Sequence, residues 1–507
     1  MTAPALPSSP PPPRHLRASV ALAILAVGAL MAILTLHRLG NADVCGSNEA
    51  VEGVFLQQMV EHGAILFPLE NGRSPMYKPP LFHWTALAID RLLGIRHVTA
   101  LNLRSTAALY AVAGGVLTVG FAASLLGPLD AVLAGLILSA SYQYLEQGRI
   151  GRVDMTLCFF ETLGLFAFMW WVAPRPPAPR RRSIRYFFAL ALGLGVLAKG
   201  PVAAILPAAA CGVFLIAERR FTDLRALASP GPILLAIVVG GSWYTACLFG
   251  SRYGFLHRQI GSENFGRFFG ALGSMSPWYY VKPLLLNSTP FSLLVPIAVY
   301  FALRTYWRPP LAAAPAEQEA YRSILCVRLF AIFWIVTVLF FSVAAYKRRA
   351  YLLPLWPPSA VILAWWLATL ARAGSSGRIL RAAVALTCAG LVVFNFFYLP
   401  YKEVHDCAGN SYRQTAAQIN RIVGPAEPLY SFGLGDEPAP LLFYLDRDAP
   451  PIEGKLGDAP PGYLIIPATV WDAHKDEALD LEPVYESSTG PRKLLLLRHG
   501  KAYAGGH

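Results

Sequence analysis

The chain has 507 residues, of which 55% are hydrophobic and 14% charged, with a mean hydropathy of +0.46. Water-soluble domains carry roughly 25% charged residues, so this balance excludes an ordinary soluble protein and predicts an all-α polytopic membrane protein. The formal charge of +13 raises two classes of anionic partner, nucleic acid and membrane. Basic residues flanking apolar spans suit topology and lipid contact, and no nucleic-acid partner is expected.

Residues 1–17 read as a disordered cytoplasmic tail rich in Pro and Ser, closed by Arg14 and Arg17. Apolar stretches near the ~20 residues that cross a bilayer then recur up to residue 401. Eleven spans are predicted: Ala18–His37, Ser105–Leu126, Asp130–Leu145, Met155–Val172, Tyr186–Ala198, Pro201–Ala217, Pro230–Phe249, Lys282–Leu303, Ser323–Tyr346, Tyr351–Ala371 and Leu380–Tyr401. The first reads as a retained signal anchor, because no small-x-small cleavage site is evident. Arginines flank Tyr186–Ala217 on both sides, with Arg180, Arg181, Arg182 and Arg185 before it and Arg219, Arg220 and Arg225 after it. Two short helices around Lys199-Gly200-Pro201 keep both clusters on the cytoplasmic side, as the positive-inside tendency asks. Alternation from that hairpin puts the amino terminus inside and everything beyond Tyr401 outside.

Two long outer loops interrupt the body, 38–104 and 250–281. In the first, Glu49–Glu61 places Val51, Val54, Phe55 and Met59 on an apolar stripe, and Phe82–Leu93 has similar character, so both read as interfacial helices. Between them, Lys78 is followed by Pro79 and Pro80, which hold the backbone extended and present an ammonium group from a fixed turn. The second loop carries Arg252, His257, Arg258, Glu263, Arg267 and the pair Trp278-Tyr279. Residues 402–507 are more polar and read as a small outer α/β domain, with a helix over Ser411–Val423 and strands at Pro428–Phe432, Leu441–Leu445, Tyr463–Pro467 and Lys493–Arg498.

Five of the seven cysteines, Cys158, Cys211, Cys247, Cys326 and Cys388, fall within spans as small packing residues. Cys45 and Cys407 both fall outside, where a periplasm would permit a disulfide between them. No metal-ligand spacing is present, and His62, His83 and His257 are irregularly placed, so no cofactor is expected and a divalent metal has little support.

The outer-side cations near span ends are Lys78, Arg149, Arg152, Lys199, Arg267, Lys347, Arg348 and Arg349. So many positive groups at one face repel one another unless they hold an anion, and a phosphate at headgroup level is the natural ligand. Carboxylates there are few. Asp154 opens a span and Glu49 opens the interfacial helix; each reads either as a helix cap or ion-pair partner, or as a general base facing an acceptor hydroxyl. A hydrolase elbow, a P-loop and a Rossmann glycine pattern are all missing.

Several motifs together resemble the bacterial branch of the protein O-mannosyltransferase family, which includes the aminoarabinose transferases of lipid A. They are Asn48-Glu49 through Met59; Lys78-Pro79-Pro80-Leu81 with Trp84; Arg149 through Arg152 to Asp154; Lys199-Gly200-Pro201; Glu263-Asn264 through Arg267-Phe268; Pro277-Trp278-Tyr279-Tyr280; and Phe341-Ser342 through Lys347 to Tyr351 and Pro354, in order over residues 40–360. The resemblance implies a GT-C fold with about 11 transmembrane helices. It also implies inverting transfer of a sugar from a polyprenyl-phosphate donor to a lipid A, glycan or protein hydroxyl, at the periplasmic face of a bacterial inner membrane. Carried onto this chain, it implies Glu49 or Asp154 as base, because the family's Asp-Glu pair is Asn48-Glu49 here. Lys78, Arg149, Arg152, Lys199, Lys347, Arg348 and Arg349 are implied at the donor phosphate. Asn48, Tyr77, His83, Glu263, Arg267, Trp278 and Tyr279 are implied around the substrates. Tyr77 stands where relatives often carry an acid, and Asn264 where some carry a histidine. The rival reading, a flippase or transporter for a lipid-linked sugar, requires charged groups deep in several spans, and Arg328 is nearly the only strong candidate.

Overall fold

The computed structural model describes residues 14–173, 183–250, 259, 261, 265–271, 273–287, 291, 293–305, 315–435, 438–445, 447–478 and 480–499. In chain order the helices begin with α1 (Arg14–Leu36), α2 (Ser47–Glu61), α3 (Leu81–Leu92), α4 (Ala100–Leu126), α5 (Pro128–Ala140), α6 (Tyr142–Gly148) and α7 (Val153–Val172). They continue with α8 (Ser183–Lys199), α9 (Val202–Ala217), α10 (Phe221–Leu227), α11 (Pro230–Gly250), α12 (Arg267–Phe269), α13 (Val281–Asn287), α14 (Leu294–Arg304), α15 (Pro315–Val343), α16 (Trp356–Ala373) and α17 (Ser375–Cys407). The last are α18 (Arg413–Ile422), α19 (Ala439–Leu442) and α20 (Ala468–His474). Among the described residues, seven segments are long and apolar enough to cross a membrane. The predicted interfacial helices are α2 and α3.

Local chemistry accounts for most boundaries. Gly127, at φ +91°, precedes Pro128 at the first position of α5, which separates it sharply from α4. Gly200, at φ +129°, turns the chain between α8 and α9, and so breaks Tyr186–Ala217 into the expected hairpin. Arg185 on α8 donates to the Ala226 carbonyl at 2.6 Å and Arg220 after α9 donates to the Val172 carbonyl at 2.8 Å, so the free ends of both helices are tied at their basic termini. The predicted span Lys282–Leu303 is instead two pieces, α13 and α14, with Phe291 and Leu293 in turns between them. Within Asp130–Leu145, the break between α5 and α6 falls at the extended Ser141.

The chain divides into two compact units. The first comprises residues up to His37, Tyr77–Phe82 and Ala107–Phe397. Its centre is α7, buried over 83% of its spanning length, with the segment Arg349–Ala373 buried over 94%; α11 is only 17% buried and presents its flank outward, as a lipid-facing helix does. Phe121 stacks on Phe166 at 3.9 Å with Phe330 beside both, an aromatic core that fixes α7 against α4 and α15.

The second unit comprises Arg38–Met76, His83–Thr106 and Tyr398–His507, so the first outer loop and the terminal segment share one core. The short strands β1 (Leu69–Glu70) and β2 (Ser74–Pro75) pair antiparallel. β3 (Leu429–Ser431), β4 (Tyr463–Pro467), β5 (Leu481–Glu486) and β6 (Leu494–His499) form a sheet in the order β3-β4-β6-β5, with β3 parallel to β4 and the other pairs antiparallel. Leu441–Leu445, expected as a strand, is helical at its start, in α19: Pro438 and Pro440 open a helical turn whose apolar run packs on α2. β5 escaped notice because Glu482, Pro483 and Glu486 give an edge strand little apolar signal. Cys45 and Cys407 are disulfide-bonded, Cα to Cα 5.7 Å, while the five span cysteines are buried and free. Asn71 exchanges two hydrogen bonds with the backbone of Ala449, both 2.7 Å, and Gln57 donates to the Phe443 carbonyl at 2.9 Å.

Candidate functional site

The site is assembled around the first turn of α7. Arg152 is extended before the helix begins, and the Asp154 side chain, 2% exposed, takes an ion pair from each direction: Lys199 Nζ at 2.5 Å from Oδ1 and Arg152 Nη2 at 3.1 Å from Oδ2. The positive φ of Gly200 allows α8 to stop abruptly, leaving Lys199 as its last residue beside α7. Lys199 also lies over the ring of Tyr351, 5.0 Å to the centroid, and Tyr351 stacks on Phe341 at 4.7 Å. Lys78, from the Lys-Pro-Pro turn, lies 5.2 Å over the Tyr77 ring.

A cavity of about 430 Å³ opens here within the first unit. Lys78, Lys199 and Arg267 contribute its positive charge, with Tyr346, Tyr351 and Gln259. Most of the remaining wall is apolar, from Leu157, Val202, Ile205, Leu206, Phe268, Phe340 and Phe341 among others. Arg267 is held there by backbone hydrogen bonds from Tyr346 to the Arg267 carbonyl (3.0 Å) and from Ala345 to the Phe268 carbonyl (2.9 Å), and its guanidinium lies 5.5 Å over the Tyr346 ring. Chemically, a cavity lined by three cations and a largely apolar wall suits an amphiphile with an anionic head.

Other predicted residues are engaged elsewhere. Arg149, 1% exposed, was expected at a phosphate; its Nη1 instead donates to the carbonyls of Leu34 (2.9 Å), Thr35 (3.1 Å) and His37 (2.9 Å), closing the end of α1. Lys347 donates to the carbonyls of Met275, at 3.2 Å, and Ala344, and burial pulls its ammonium below its ordinary pKa. Arg349 pairs with Glu146 at 2.9 Å. None of these three lines the cavity. Arg348 is adjacent to it through Tyr346, whose hydroxyl accepts from its Nε at 3.2 Å. Trp278 is 78% exposed and Tyr279 half-buried, and neither lines the cavity.

Glu49, Asn48 and His83 belong to the second unit. Glu49 is clamped by Arg104, Nε to Oε1 at 2.8 Å and Nη2 to Oε2 at 3.0 Å, while the same guanidinium donates to the Leu39, Ala42 and Asp43 carbonyls. Asn48 is half-buried at the start of α2. His83 is fully buried against the equally buried Glu52 at 3.2 Å, so Glu52 lies on the inner face of α2. Tyr77 is half-buried beside Lys78. Glu263, with Asn264, Arg252, His257, Arg258 and Arg180–Arg182, lies outside the described residues, as do residues 1–13 of the tail. Among the described residues no group of three or more His, Cys, Asp or Glu side chains is arranged to hold a metal ion. Arg328, the deep charge that a transporter would need, pairs with Glu218 at 3.0 Å.

Sequence reasoning missed Gln259, Tyr346 and Tyr351 as lining residues, and above all Glu161. Glu161 is 1% exposed, lines the cavity, and follows Asp154 by seven residues, which puts both on one face of α7. That spacing, together with the cost of a carboxylate inside a span, was the available signal.

Residues 77–243, the stretch carrying Lys78, Asp154 and Lys199, match the dolichyl-phosphate-mannose-protein mannosyltransferase family. An uncharacterized protein of Aquifex aeolicus is 28% identical over 337 residues, 66% of this chain and 62% of that protein. An undecaprenyl phosphate-alpha-4-amino-4-deoxy-L-arabinose arabinosyl transferase of Pectobacterium atrosepticum is 26% identical over 387 residues, 73% of this chain and 65% of the relative. The chain therefore spans less than two thirds of the length of these curated relatives. Among solved structures, ArnT from Cupriavidus metallidurans bound to undecaprenyl phosphate aligns with a TM-score of 0.75 at 18% identity, over 96% of this chain and 99% of that one. The archaeal oligosaccharyltransferase AglB from Archaeoglobus fulgidus, in complex with an inhibitory peptide and a dolichol-phosphate, aligns with a TM-score of 0.51 at 12% identity, over 90% and 70% respectively. Many apolar helices, a buried α7 bearing Asp154 beside Lys199, and these likenesses agree: the chain is a multi-pass membrane protein with the GT-C fold, similar over residues 77–243 to the dolichyl-phosphate-mannose-protein mannosyltransferases.

Proposed function

We propose that this protein is a glycosyltransferase that uses a polyprenyl-phosphate sugar as donor and a lipid A, glycan or protein hydroxyl as acceptor. It acts at the periplasmic face of a bacterial inner membrane, with residues 402–507 on the periplasmic side. The observation that carries this reading is the cavity, whose lining combines three cations, Lys78, Lys199 and Arg267, with a largely apolar wall. That is the polarity of a phosphate head and an isoprenoid tail. Lys78, Lys199 and Arg267 bind the phosphate, while Arg152 and Asp154 hold Lys199 in position.

In transfer, the acceptor oxygen attacks the anomeric carbon as the polyprenyl phosphate departs from the opposite side, which inverts the configuration. Fixed cations aimed at a departing phosphate stabilise the charge that develops in the transition state, and they do so best where water is excluded. The pairing of Arg328 with Glu218 gives no support to a charged path across the membrane for a flippase.

The test is to reconstitute the protein in lipid nanodiscs, measure binding of undecaprenyl phosphate, and then supply synthetic undecaprenyl-phosphate pentoses and hexoses with membrane extracts as acceptor. Saturable binding and sugar joined covalently to a new acceptor are expected. Relocation of the donor in proteoliposomes without any new glycosidic bond would overturn the assignment.

A further inference from the structure

Glu161 is the one carboxylate among the described residues that line the cavity. It lies on α7 seven residues beyond Asp154, about 10 Å along the helix axis and on the same face. Both carboxylate oxygens are buried and have no hydrogen-bond partner among the described residues. A carboxylate facing an anion site is repulsive unless it is neutralised by a cation or exchanges a proton. Asp154 is neutralised by Lys199 and Arg152, and Glu49 by Arg104. Asn48 is an amide and takes no proton. Among these described candidates, Glu161 is left as the lining group whose charge can change.

Resting on the transferase reading above, we infer that Glu161 is the proton acceptor of the transfer reaction. The acceptor O–H bond breaks and its proton passes to a Glu161 carboxylate oxygen, directly or through one water. The acceptor oxygen forms the bond to the anomeric carbon. The bond from that carbon to the phosphate oxygen breaks, its electron pair stays on the phosphate, and the proton later leaves Glu161 for solvent. The groups around it suit this cycle. Lys199 from α8, Tyr351 from the turn before α16, and Lys78, Arg267 and Tyr346 on the cavity wall are cationic or neutral, whereas α9 offers the wall apolar side chains such as Val202 and Ile205. The nearby negative charge on α7, Asp154, is already paired.

The experiment compares wild type, Glu161→Gln and Glu161→Asp in nanodiscs, reading undecaprenyl phosphate affinity and the rate of transfer from undecaprenyl-phosphate sugars between pH 5.5 and 9. A positioned base contributes about 10²–10⁴-fold, so Glu161→Gln should lose that much rate, and with it the rise of rate with pH, while binding undecaprenyl phosphate within twofold of wild type. Glu161→Asp should recover part of the rate with a displaced pH limb. A Glu161→Gln enzyme with wild-type rate and pH profile would overturn the assignment, as would loss of affinity in proportion to rate, which marks a merely structural role. Wild-type protein that binds no undecaprenyl phosphate, or transfers no sugar, would instead overturn the transferase reading on which it rests.

Discussion

Replacing Lys199 with Met tests whether the site works through its cations or through Asp154. In the intact protein the Asp154 carboxylate, 2% exposed, holds Lys199 at 2.5 Å and Arg152 at 3.1 Å. Stripping a buried charge of its partner costs about 3–5 kcal/mol, but Arg152 remains, so Lys199→Met should cost about 1–2 kcal/mol in stability and leave the fold intact. The loss in transfer should be larger, because one fixed donor aimed at developing charge contributes about 10²–10³ in kcat, or roughly 2.7–4 kcal/mol. Asp154→Asn keeps the ammonium group and removes only its counter-charge, so it should lower transfer less than tenfold and leave affinity for undecaprenyl phosphate unchanged or tighter. The double variant should be no worse than Lys199→Met alone, since the two side chains form one unit. Thermal unfolding, phosphate-lipid binding and transfer measured on all four proteins give the full cycle. If Lys199→Met transfers at near wild-type rate while Asp154→Asn is inactive, the cationic-site reasoning fails and Asp154 is the chemical group.

Arg149→Lys should lower the unfolding temperature through loss of about 1.5–3 kcal/mol of hydrogen bonding to the end of α1, without changing undecaprenyl phosphate affinity in the folded fraction; unchanged stability with lost affinity would return Arg149 to the ligand site. Asp90, on α3 and 1% exposed with no hydrogen-bond partner for either oxygen among the described residues, has its pKa raised by burial from 3.8 to about 6. Since the folded value lies above the unfolded one, the folded state binds this proton more tightly, and stability falls as pH rises from about 4 to about 6 before levelling. Asp90→Asn should therefore stabilise the protein above pH 6 by about 1–3 kcal/mol and flatten its unfolding temperature against pH, a change absent if the carboxyl is solvated. Cys407→Ser opens a bond joining residues 362 apart and should destabilise the second unit by about 2–4 kcal/mol; peptide mapping without reductant that finds Cys45 free in the wild type would refute the linkage.

The membrane body was legible because its signals are local. Apolar length, the Gly127-Pro128 break and the Lys199-Gly200-Pro201 turn all act within a few residues, and the structure has a helix at every predicted span, though two of the predicted spans are broken into shorter helices. Side-chain destination was not legible. Arg149 and Arg152 have the same chemistry three residues apart, yet one caps carbonyls of α1 and the other meets Asp154; the difference lies in which way a short turn faces, not in composition. The shared core of the first outer loop and the terminal segment was equally hidden, since backbone carbonyls such as those of Phe443 and Ala449 accept many of its bonds and leave no pattern in side-chain type.

Tyrosine does for this site what further carboxylates could not. Lys78 lies over Tyr77 at 5.2 Å, Lys199 over Tyr351 at 5.0 Å, and Arg267 and Arg348 over Tyr346 at 5.5 and 5.4 Å. A ring face attracts a cation by about 0.5–2 kcal/mol, enough to fix its direction, without cancelling its charge toward an incoming anion. A carboxylate in the same place would orient the cation more strongly and compete with the phosphate for it. Asp154 is the exception that defines the arrangement, because it holds Lys199 and Arg152 together at the start of α7 while the aromatic contacts orient cations around the cavity. Positive charge is thus set into a largely apolar wall, the combination that the proposed binding and departure of a lipid phosphate requires.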